Sequence, residues 1–492
     1  MTRQLTIIGA GISGLTCAIY AQRSGFRTII LEKAGNPGGV STSWKRKGYN
    51  FEGGIHWLIG SREDDPLHEV WTDTGALRDN NPLFFKDPVY TLIDGDKRLE
   101  LFRDPRKMQQ TFLAAAPEDW LAIALLRFDL WCFRHFHMPL LDLAGLKVRN
   151  PRGFNPMEFV RMLPSVLMAP WLMSFSAGRY ARRFRSPILS KLISSVINPE
   201  QNALSLVYTM STFCYGDSGY PEGGSLRMAR NMADTFTALG GEIRYNTTVL
   251  EVVMDRSKAT GVRTASEFIP SDAVVISSDA RKAIDRLFSE PLGDKWARQM
   301  RRNLETEQCM FIGVGVRADL SAWPRSMQCV LDEPLEVAGL SISILPIHNY
   351  SKELDYAPEG CSAVTTLLSG PSYGFWKAAR EDGSYRRKKE EIIARFVEIL
   401  SRFIPETKGK VEVTDMATPL TYERYCDTYD GSYMTLWRPW HLTSVAPIRY
   451  KEGLYFTGQR TSLSGGLPIA GGSGRMTAQH LCRDFDMEFV SR

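Results

Sequence analysis

No two of the eight cysteines stand at the short spacing of a metal knuckle. Cys17, Cys132, Cys214, Cys309, Cys329, Cys361, Cys426 and Cys482 are scattered singly along 492 residues. That scatter excludes a disulfide framework and reads as free thiols in a reducing compartment. Also missing is any apolar run of the ~18 residues that a membrane-crossing helix needs. The first strand is expected near Leu5, which leaves no room for a charged leader and apolar stretch, so no signal or transit peptide is expected and the expected location is cytoplasmic. A net charge of only +5 is too small to argue for a nucleic-acid partner. No internal repeat or low-complexity linker interrupts the chain. At this length, beyond one ordinary core, that favours interleaved domains over a string of separate ones.

What the chain does have is glycine in organised places. "TIIGAGISGLTCAIYAQRSGFRTIILEK" runs from Thr6 to Lys33. Leu5 to Ile8 is short and apolar, as a buried parallel strand should be. It runs into Gly9, Gly11 and Gly14 at dinucleotide-loop spacing, around Ala10, Ile12 and Ser13. Gly9 permits the tight turn, Gly11 lets backbone approach a pyrophosphate, and Gly14 lets the following helix pack closely. That helix should place Leu15, Ala18 and Ile19 on one face and end at Gly25, before a second strand over Thr28 to Leu31. Its N-terminus offers unpaired N–H groups to phosphates. Glu32 follows at about the ~20-residue spacing of a carboxylate that grips ribose hydroxyls. A carboxylate repels a 2′-phosphate, which leaves FAD or NAD.

Two further stretches bear on that choice. "NPGGVSTS" (Asn36 to Ser43) adds Gly38 and Gly39, and "GYNFEGGIHWLIGS" (Gly48 to Ser61) adds Gly53 and Gly54. An extended FAD would use these extra close backbone approaches, whereas NAD would not need them. Two ordinary glycine turns remain the plain alternative.

The chain resembles the phytoene desaturase, carotenoid isomerase and retinol saturase group of flavoproteins, within the wider amine-oxidase-like superfamily. The first loop and the Gly-Gly pair are shared across that superfamily. More specific are "YPEGGSLRMARNMADTFTALGGEIRYNTTVLEVV" (Tyr220 to Val253) and "GLYFTGQRTSLSGGLPIAGGSGRMTAQHL" (Gly453 to Leu481). The resemblance implies an α/β fold: a Rossmann-like FAD-binding domain built from discontinuous segments, with an inserted α+β substrate domain. The segments implied are 1–85, 216–295 and 446–492 for FAD, and 86–215 and 296–445 for substrate. It implies FAD contacts from Gly9, Gly11, Ile12, Ser13, Gly14, Glu32, Lys33, Gly38, Gly39, Ser41, Gly53, Gly54, Ile55, Val249, Gly458, Gln459, Leu467, Gly471 and Gly472. By that likeness Val249 backbone would meet the adenine, and the closing helix would point its start at the isoalloxazine, where a helix N-terminus stabilises negative charge.

The implied reaction is at carbon–carbon double bonds of a lipophilic polyene or isoprenoid. The "GGLPIAGGSG" ending favours desaturation, while Thr457-Gly458-Gln459 keeps saturation and isomerisation open. Two other readings share the fold: an amine or porphyrinogen oxidase, and a non-catalytic prenyl binder of the Rab escort type, which lacks an intact flavin site. His56 lies where the family's chain passes the flavin. It is the candidate proton carrier, against a plain role of steadying its loop, and Asp217 and Glu222 are further candidates. His135 and His137 have no carboxylate or cysteine at ligand spacing, so no metal is expected.

Residues 112–215 are rich in aromatics and methionines and read as mostly helical, with 112–192 as the candidate membrane-associating part. Nine basic residues lie between Gly145 and Leu192: Lys147, Arg149, Arg152, Arg161, Arg179, Arg182, Arg183, Arg185 and Lys191, with only Glu158 opposing them in that stretch. Interleaved with Trp, Phe and Met, they suggest peripheral contact with anionic membrane. A helical lid over an apolar tunnel is the other reading. "CMFIGVGV" and "SAVTTLLS" should be strands of a sheet walling the substrate cavity, and Tyr385 to Pro405 an amphipathic helix. The sequence specifies no oligomeric state.

Overall fold

The structure is a computed structural model that describes residues 2–151, 156–441 and 444–492. Its first strand, Gln4–Ile8, is central to a six-stranded sheet and pairs in parallel with Arg27–Leu31 on one side and Ala273–Ile276 on the other. The order in which strands are added therefore reverses at this strand, and a doubly wound sheet binds ligands at the carboxyl ends of strands around such a point. Glu242–Arg244 and Leu454–Phe456 continue the sheet in parallel, and Arg449–Lys451 closes one edge antiparallel. The second strand begins one residue before the expected Thr28 and still delivers Glu32 just past its end.

The opening helix, Ile12–Arg23, carries Leu15, Ala18 and Ile19 inside as expected, but every residue from Ile12 to Ala21 is buried. It has no solvent face over that length, because it touches both the closing helix Leu467–Asp484 and the helix Gly224–Ala238. Gly474 makes the first of these approaches possible, and Gly14 lets the helix sit close on its own loop. A Cβ on Gly14 would stand 2.2 Å from the Gly9 carbonyl oxygen, and one on Gly474 would stand 2.6 Å from the Ser13 carbonyl oxygen.

A seven-stranded sheet runs in the order Val411–Ala417, Cys309–Val316, Ser362–Ser369, Leu340–Asn349, Ser326–Val337, Tyr90–Asp94, Lys97–Leu101. Cys309–Val316 is buried along its whole length. The helix Tyr385–Phe403 covers one face of this sheet with Ile392, Phe396 and Leu400, one side chain per turn. Its charged first turns lie in water, where Arg386 and Arg387 pair with Glu390 and Glu391.

Between the first two strands of that large sheet and its remainder, the chain builds a helical region with a core of its own. It contains Pro105–Ala115, Trp120–Cys132, Pro156–Met173, Ala177–Ala181, Pro187–Ser194 and Ala203–Cys214. Here the structure gives part of the basic stretch acidic partners from elsewhere in the chain. Lys147, Arg149, Arg183 and Lys191 are paired with Asp486, Glu488, Asp129 and Asp94, acids that lie outside the Gly145–Leu192 window. Arg183 is also stacked over Trp171, Phe175 and Tyr180, so it belongs to the fold. Arg179, Arg182 and Arg185 are exposed, as is Arg161, and Arg152 lies outside the described residues.

Candidate functional site: a glycine cradle and an adjoining cavity

The first loop leaves the strand at Gly9, whose φ of +104° is costly for any other residue and whose N–H donates to the Leu31 carbonyl at 2.9 Å. Gly11 is the N-cap of the opening helix, with φ −68° and ψ 170°, and offers no side-chain cap. The N–H groups of the first helical turn are thus left for a ligand. A Cβ on Gly11 would meet nothing in the protein within 4 Å. Its open side leaves room for a ligand at the helix start.

Glu32 closes this loop. Its carboxylate accepts from Ala10 N at 2.6 Å and Ala34 N at 2.7 Å. Burial raises its proton affinity, while those N–H groups and Lys33 act the other way. Each oxygen keeps a lone pair for a further donor such as a ribose hydroxyl. Glu32→Ala is expected to weaken FAD retention roughly tenfold or more, from loss of a charge-assisted bond of ~1.5–3 kcal/mol. Ultrafiltration of the purified variant, with flavin absorbance in filtrate and retentate, measures it. Retention equal to wild type would refute the placement of the adenosine end.

The next glycines fold back over the first loop. Gly38 N donates to the Ala10 carbonyl at 2.9 Å, and Gly38 bridges to Gly11 as in a parallel pair. Gly39 brings its α-carbon side within reach of Gly11 Cα. Ser41 Oγ is buried here with no hydrogen-bond partner in the protein. Thr247 N donates to the Glu32 carbonyl, which sets Val249 at the start of its strand beside the acid. Lys33 lies outside the cradle and pairs with Asp427. Ser13 is a pin: its hydroxyl bonds Ser277 Oγ at 2.9 Å and lies against Gly458.

The later candidates sort differently. A Cβ on Gly53 would stand 2.5 Å from the Trp44 ring, and one on Gly54 would stand 2.9 Å from Ser41 Cα. Gly471 faces Trp71, and Gly472 faces Met138 and Leu140. At these four positions the missing side chain makes room for protein. Gly458 has φ +107° and donates its N–H to Ser473 Oγ, Gln459 bonds the Tyr433 carbonyl, and Leu467 opens the closing helix. Beside Gln459, Arg460 is buried in an ion pair with Asp279, with Ser432 and Thr435 as further partners.

Sequence reasoning missed Glu52 and Ser225. Glu52 is fully buried and accepts from Gly54 N, Ile55 N and Ser225 N, while Ser225 Oγ in turn accepts from Ile55 N. One carboxylate thus fixes the Gly53–Ile55 turn to the start of the helix Gly224–Ala238. The only local signal was an acid set in the apolar "YNFEGG".

The open side of Gly11, the free helix N-terminus, the Glu32 carboxylate and the orphaned Ser41 hydroxyl together fit a dinucleotide cofactor. The family model for the flavin containing amine oxidoreductases matches residues 12–482. This chain belongs to that family. The family's name specifies a flavin, and with a dinucleotide cradle the cofactor is FAD. Among its relatives, the chain is 25% identical to a chloroplastic prolycopene isomerase of Arabidopsis thaliana, over 99% of this chain and 84% of the other. It is 24% identical to a lycopene-forming phytoene desaturase of Pseudescherichia vulneris, over 98% and 99%. Cyclohexylamine oxidase of Brevibacterium oxydans shares the fold with a TM-score of 0.62 at 15% identity, over 99% and 100% of the two chains. The protein is thus an FAD-dependent oxidoreductase of this family.

Next to the Gly53–Ile55 turn, this flavoenzyme has a small cavity lined in part by His56, Trp57, Lys86, Tyr90, Phe213 and Ser326. His56 stacks on His348 with ring centres 4.3 Å apart. Burial, helped by Lys86, pushes the His56 ring down to about 3, and His348 is held well below its usual value by burial and by His56. Both rings are therefore neutral at physiological pH, which suits hydrogen bonding better than proton storage. Burial also lowers Lys86 to about 8. Asp217 accepts from Gly60 N and Arg62 N and is pushed up to about 8 by burial and by Asp65. It braces loops, and neither it nor Glu222 lines the cavity. His137 is buried near Asp65, and no metal-ligating cluster occurs among the described residues.

Proposed function

We propose that this oxidoreductase changes the saturation or geometry of carbon–carbon double bonds in a lipophilic polyene or isoprenoid, with desaturation first. The observation that carries the reading is the nearly end-to-end similarity to a phytoene desaturase and a prolycopene isomerase. Bound FAD supplies a two-electron acceptor for hydride. The chain's share is positional. Trp57, Val89, Tyr90 and Phe213 give the cavity an apolar wall that excludes water, and the Glu52–Ser225 bonds hold the turn leading into it. The amine-oxidase alternative meets an obstacle here: Lys86 and Arg103 line the same cavity and repel an ammonium substrate. The prenyl-binder alternative is disfavoured by the complete glycine cradle.

We take residues 1–85, 216–295 and 446–492 as the FAD unit, in keeping with the origin of the strands of the parallel sheet. The substrate unit is then 86–215 and 296–445. Among the described residues no helix is long and apolar enough to cross a membrane. Instead, Trp120–Cys132 and Pro156–Met173 expose Trp120, Leu121, Leu125, Phe128, Trp131, Met157, Phe159, Val160, Leu163, Val166, Leu167 and Trp171. So large an apolar surface needs a partner. We assign it to the face of an anionic membrane on the cytoplasmic side, with Arg179, Arg182 and Arg185 nearby in sequence as the charged contribution.

The test is anaerobic. Oxidised enzyme and photoreduced enzyme are mixed separately with candidate polyenes in liposomes. Bleaching of oxidised flavin with a product two hydrogens lighter is the expected result. Reoxidation of reduced flavin with a product two hydrogens heavier would assign saturation, and unchanged mass with altered retention would assign isomerisation. Bleaching by small amines, with no response to any polyene, would overturn the reading.

A further inference from the structure

Glu52 makes more bonds than its own turn requires. Its Oε1 accepts from Gly54 N, Ile55 N and Ser225 Oγ. Its Oε2 accepts from Ser225 N and also faces two tyrosine hydroxyls, Tyr356 at 3.2 Å and Tyr220 at 3.4 Å. The two hydroxyls are 2.8 Å apart, and each has one proton to give. Tyr356 makes the shorter bond to the carboxylate, which leaves Tyr220 to donate to Tyr356. All three residues are buried. Gly224, with φ +66°, is glycine for this reason: a Cβ there would collide with Glu52 Oε2 and with both hydroxyls.

Tyr356 comes from a distant part of the chain. It lies in the connection between the adjacent strands Leu340–Asn349 and Ser362–Ser369 of the seven-stranded sheet. Three ties clasp this connection to the elements around Glu52. Asn50 N donates to the Tyr356 carbonyl at 2.8 Å, Asp355 pairs with Arg227 at 3.2 Å, and the Tyr356 hydroxyl reaches Glu52. Tyr350 seats the ring, stacked on it at 4.9 Å between centroids. The ion pair is at the surface and contributes little, whereas the buried bond to a carboxylate is strong.

On its other side the Glu52 turn is wedged against the cofactor cradle. Gly53 N donates to the Thr42 carbonyl at 3.1 Å, and a Cβ on Gly54 would stand 2.9 Å from Ser41 Cα. Ser41 N donates in turn to the Gly38 carbonyl at 3.1 Å, and Gly38 bridges to Gly11. Contacts this close leave no slack, and a packed interior passes a displacement on.

We propose that Tyr356 is a positioning residue for the cofactor. Acting through Glu52, it holds the Gly53–Ile55 turn and with it the Ser41 wall of the FAD cradle, so that the large sheet and the cradle move as one piece. The proposal concerns FAD binding and is independent of the polyene reading.

Tyr356→Phe removes one oxygen and keeps the ring, its stack on Tyr350 and the backbone bond from Asn50. Tyr49→Phe is the control. Tyr49 lies on the strand that carries Glu52, and it gives its hydroxyl to Glu412 of the same large sheet at 2.7 Å without touching Glu52. Each variant loses one tyrosine–carboxylate bond, so both should lower the melting temperature of the FAD-free protein by a similar amount. FAD is then added back and its binding followed by flavin fluorescence. Tyr356→Phe should bind FAD about tenfold more weakly and, at saturation, shift the visible flavin bands. Tyr49→Phe should match wild type in both. Wild type alone provides a second arm, hydrogen exchange read by mass spectrometry. Adding FAD should slow exchange in peptides covering 50–55 and 353–358 together. Unchanged affinity and spectrum in Tyr356→Phe, or an equal loss of affinity in Tyr49→Phe, overturns the proposal. Slowing confined to 50–55 overturns it as well. Both readouts are taken without substrate, so a failure of the polyene reading leaves them untouched.

Discussion

Gly11→Val is expected to give a folded protein that holds FAD weakly. The backbone at Gly11 is already extended, with φ −68° and ψ 170°, which a β-branched residue adopts readily. The added side chain meets no protein atom at its first carbon. It enters only the open space that the cofactor's phosphates are expected to fill. Forcing methyl groups into a filled space costs about 1–3 kcal/mol, and each 1.4 kcal/mol is tenfold in affinity. FAD affinity should therefore fall by roughly ten- to a hundredfold, with far-UV circular dichroism and the cofactor-free melting temperature unchanged. Gly14→Ala is the contrast. Its Cβ would collide with the Gly9 carbonyl oxygen at 2.2 Å, in the protein itself, so it should lower the melting temperature whether or not FAD is present. A Gly11→Val protein that is fully yellow would show that the first loop does not hold the phosphates.

That contrast marks how far the sequence could be read. Gly9, Gly11 and Gly14 were legible because their roles are local: a positive φ, an open side and a close carbonyl lie within six residues. Glu32 was legible because a strand of fixed rise puts it at that strand's carboxyl end. Gly53, Gly54, Gly471 and Gly472 were only half legible. Glycine announces that something comes close, but Trp44, Ser41, Trp71 and Met138 could have been named only from the tertiary fold. The same limit hid the acids that neutralise Lys147, Arg149, Arg183 and Lys191, because charge was counted along the chain while its partners sit up to 339 residues away. Lys86 and His348 were missed for a related reason. Nothing local marks either one, and only the register of the large sheet sets Ser326 between them.

Replacing Phe159, Val160, Leu163 and Leu167 together by Ser should release the protein from lipid vesicles. These side chains are 54%, 57%, 42% and 71% exposed, so removing them takes little from the core. Full burial of such a side chain contributes about 1.5–3 kcal/mol. Counting roughly half of that for the part that is exposed gives about 1 kcal/mol each and about 4 kcal/mol for the four. Partitioning should fall by about a hundredfold or more, on neutral and anionic vesicles alike and with little effect of salt. The arginines act by a different physics. Arg179, Arg182 and Arg185 contribute ~1 kcal/mol each at an anionic surface, and salt screens them. Their change to Gln should weaken binding only on anionic vesicles and reduce its salt dependence, with the exposed Arg161 accounting for what remains. Arg183 is left in place, since its ion pair with Asp129 and its stacking on Trp171 would confound the result. With a dozen large apolar side chains exposed against three arginines, the apolar face should dominate, and co-sedimentation with vesicles at low and high salt separates the two contributions. Undiminished sedimentation of the four-serine variant would mean that this face is covered by something other than lipid.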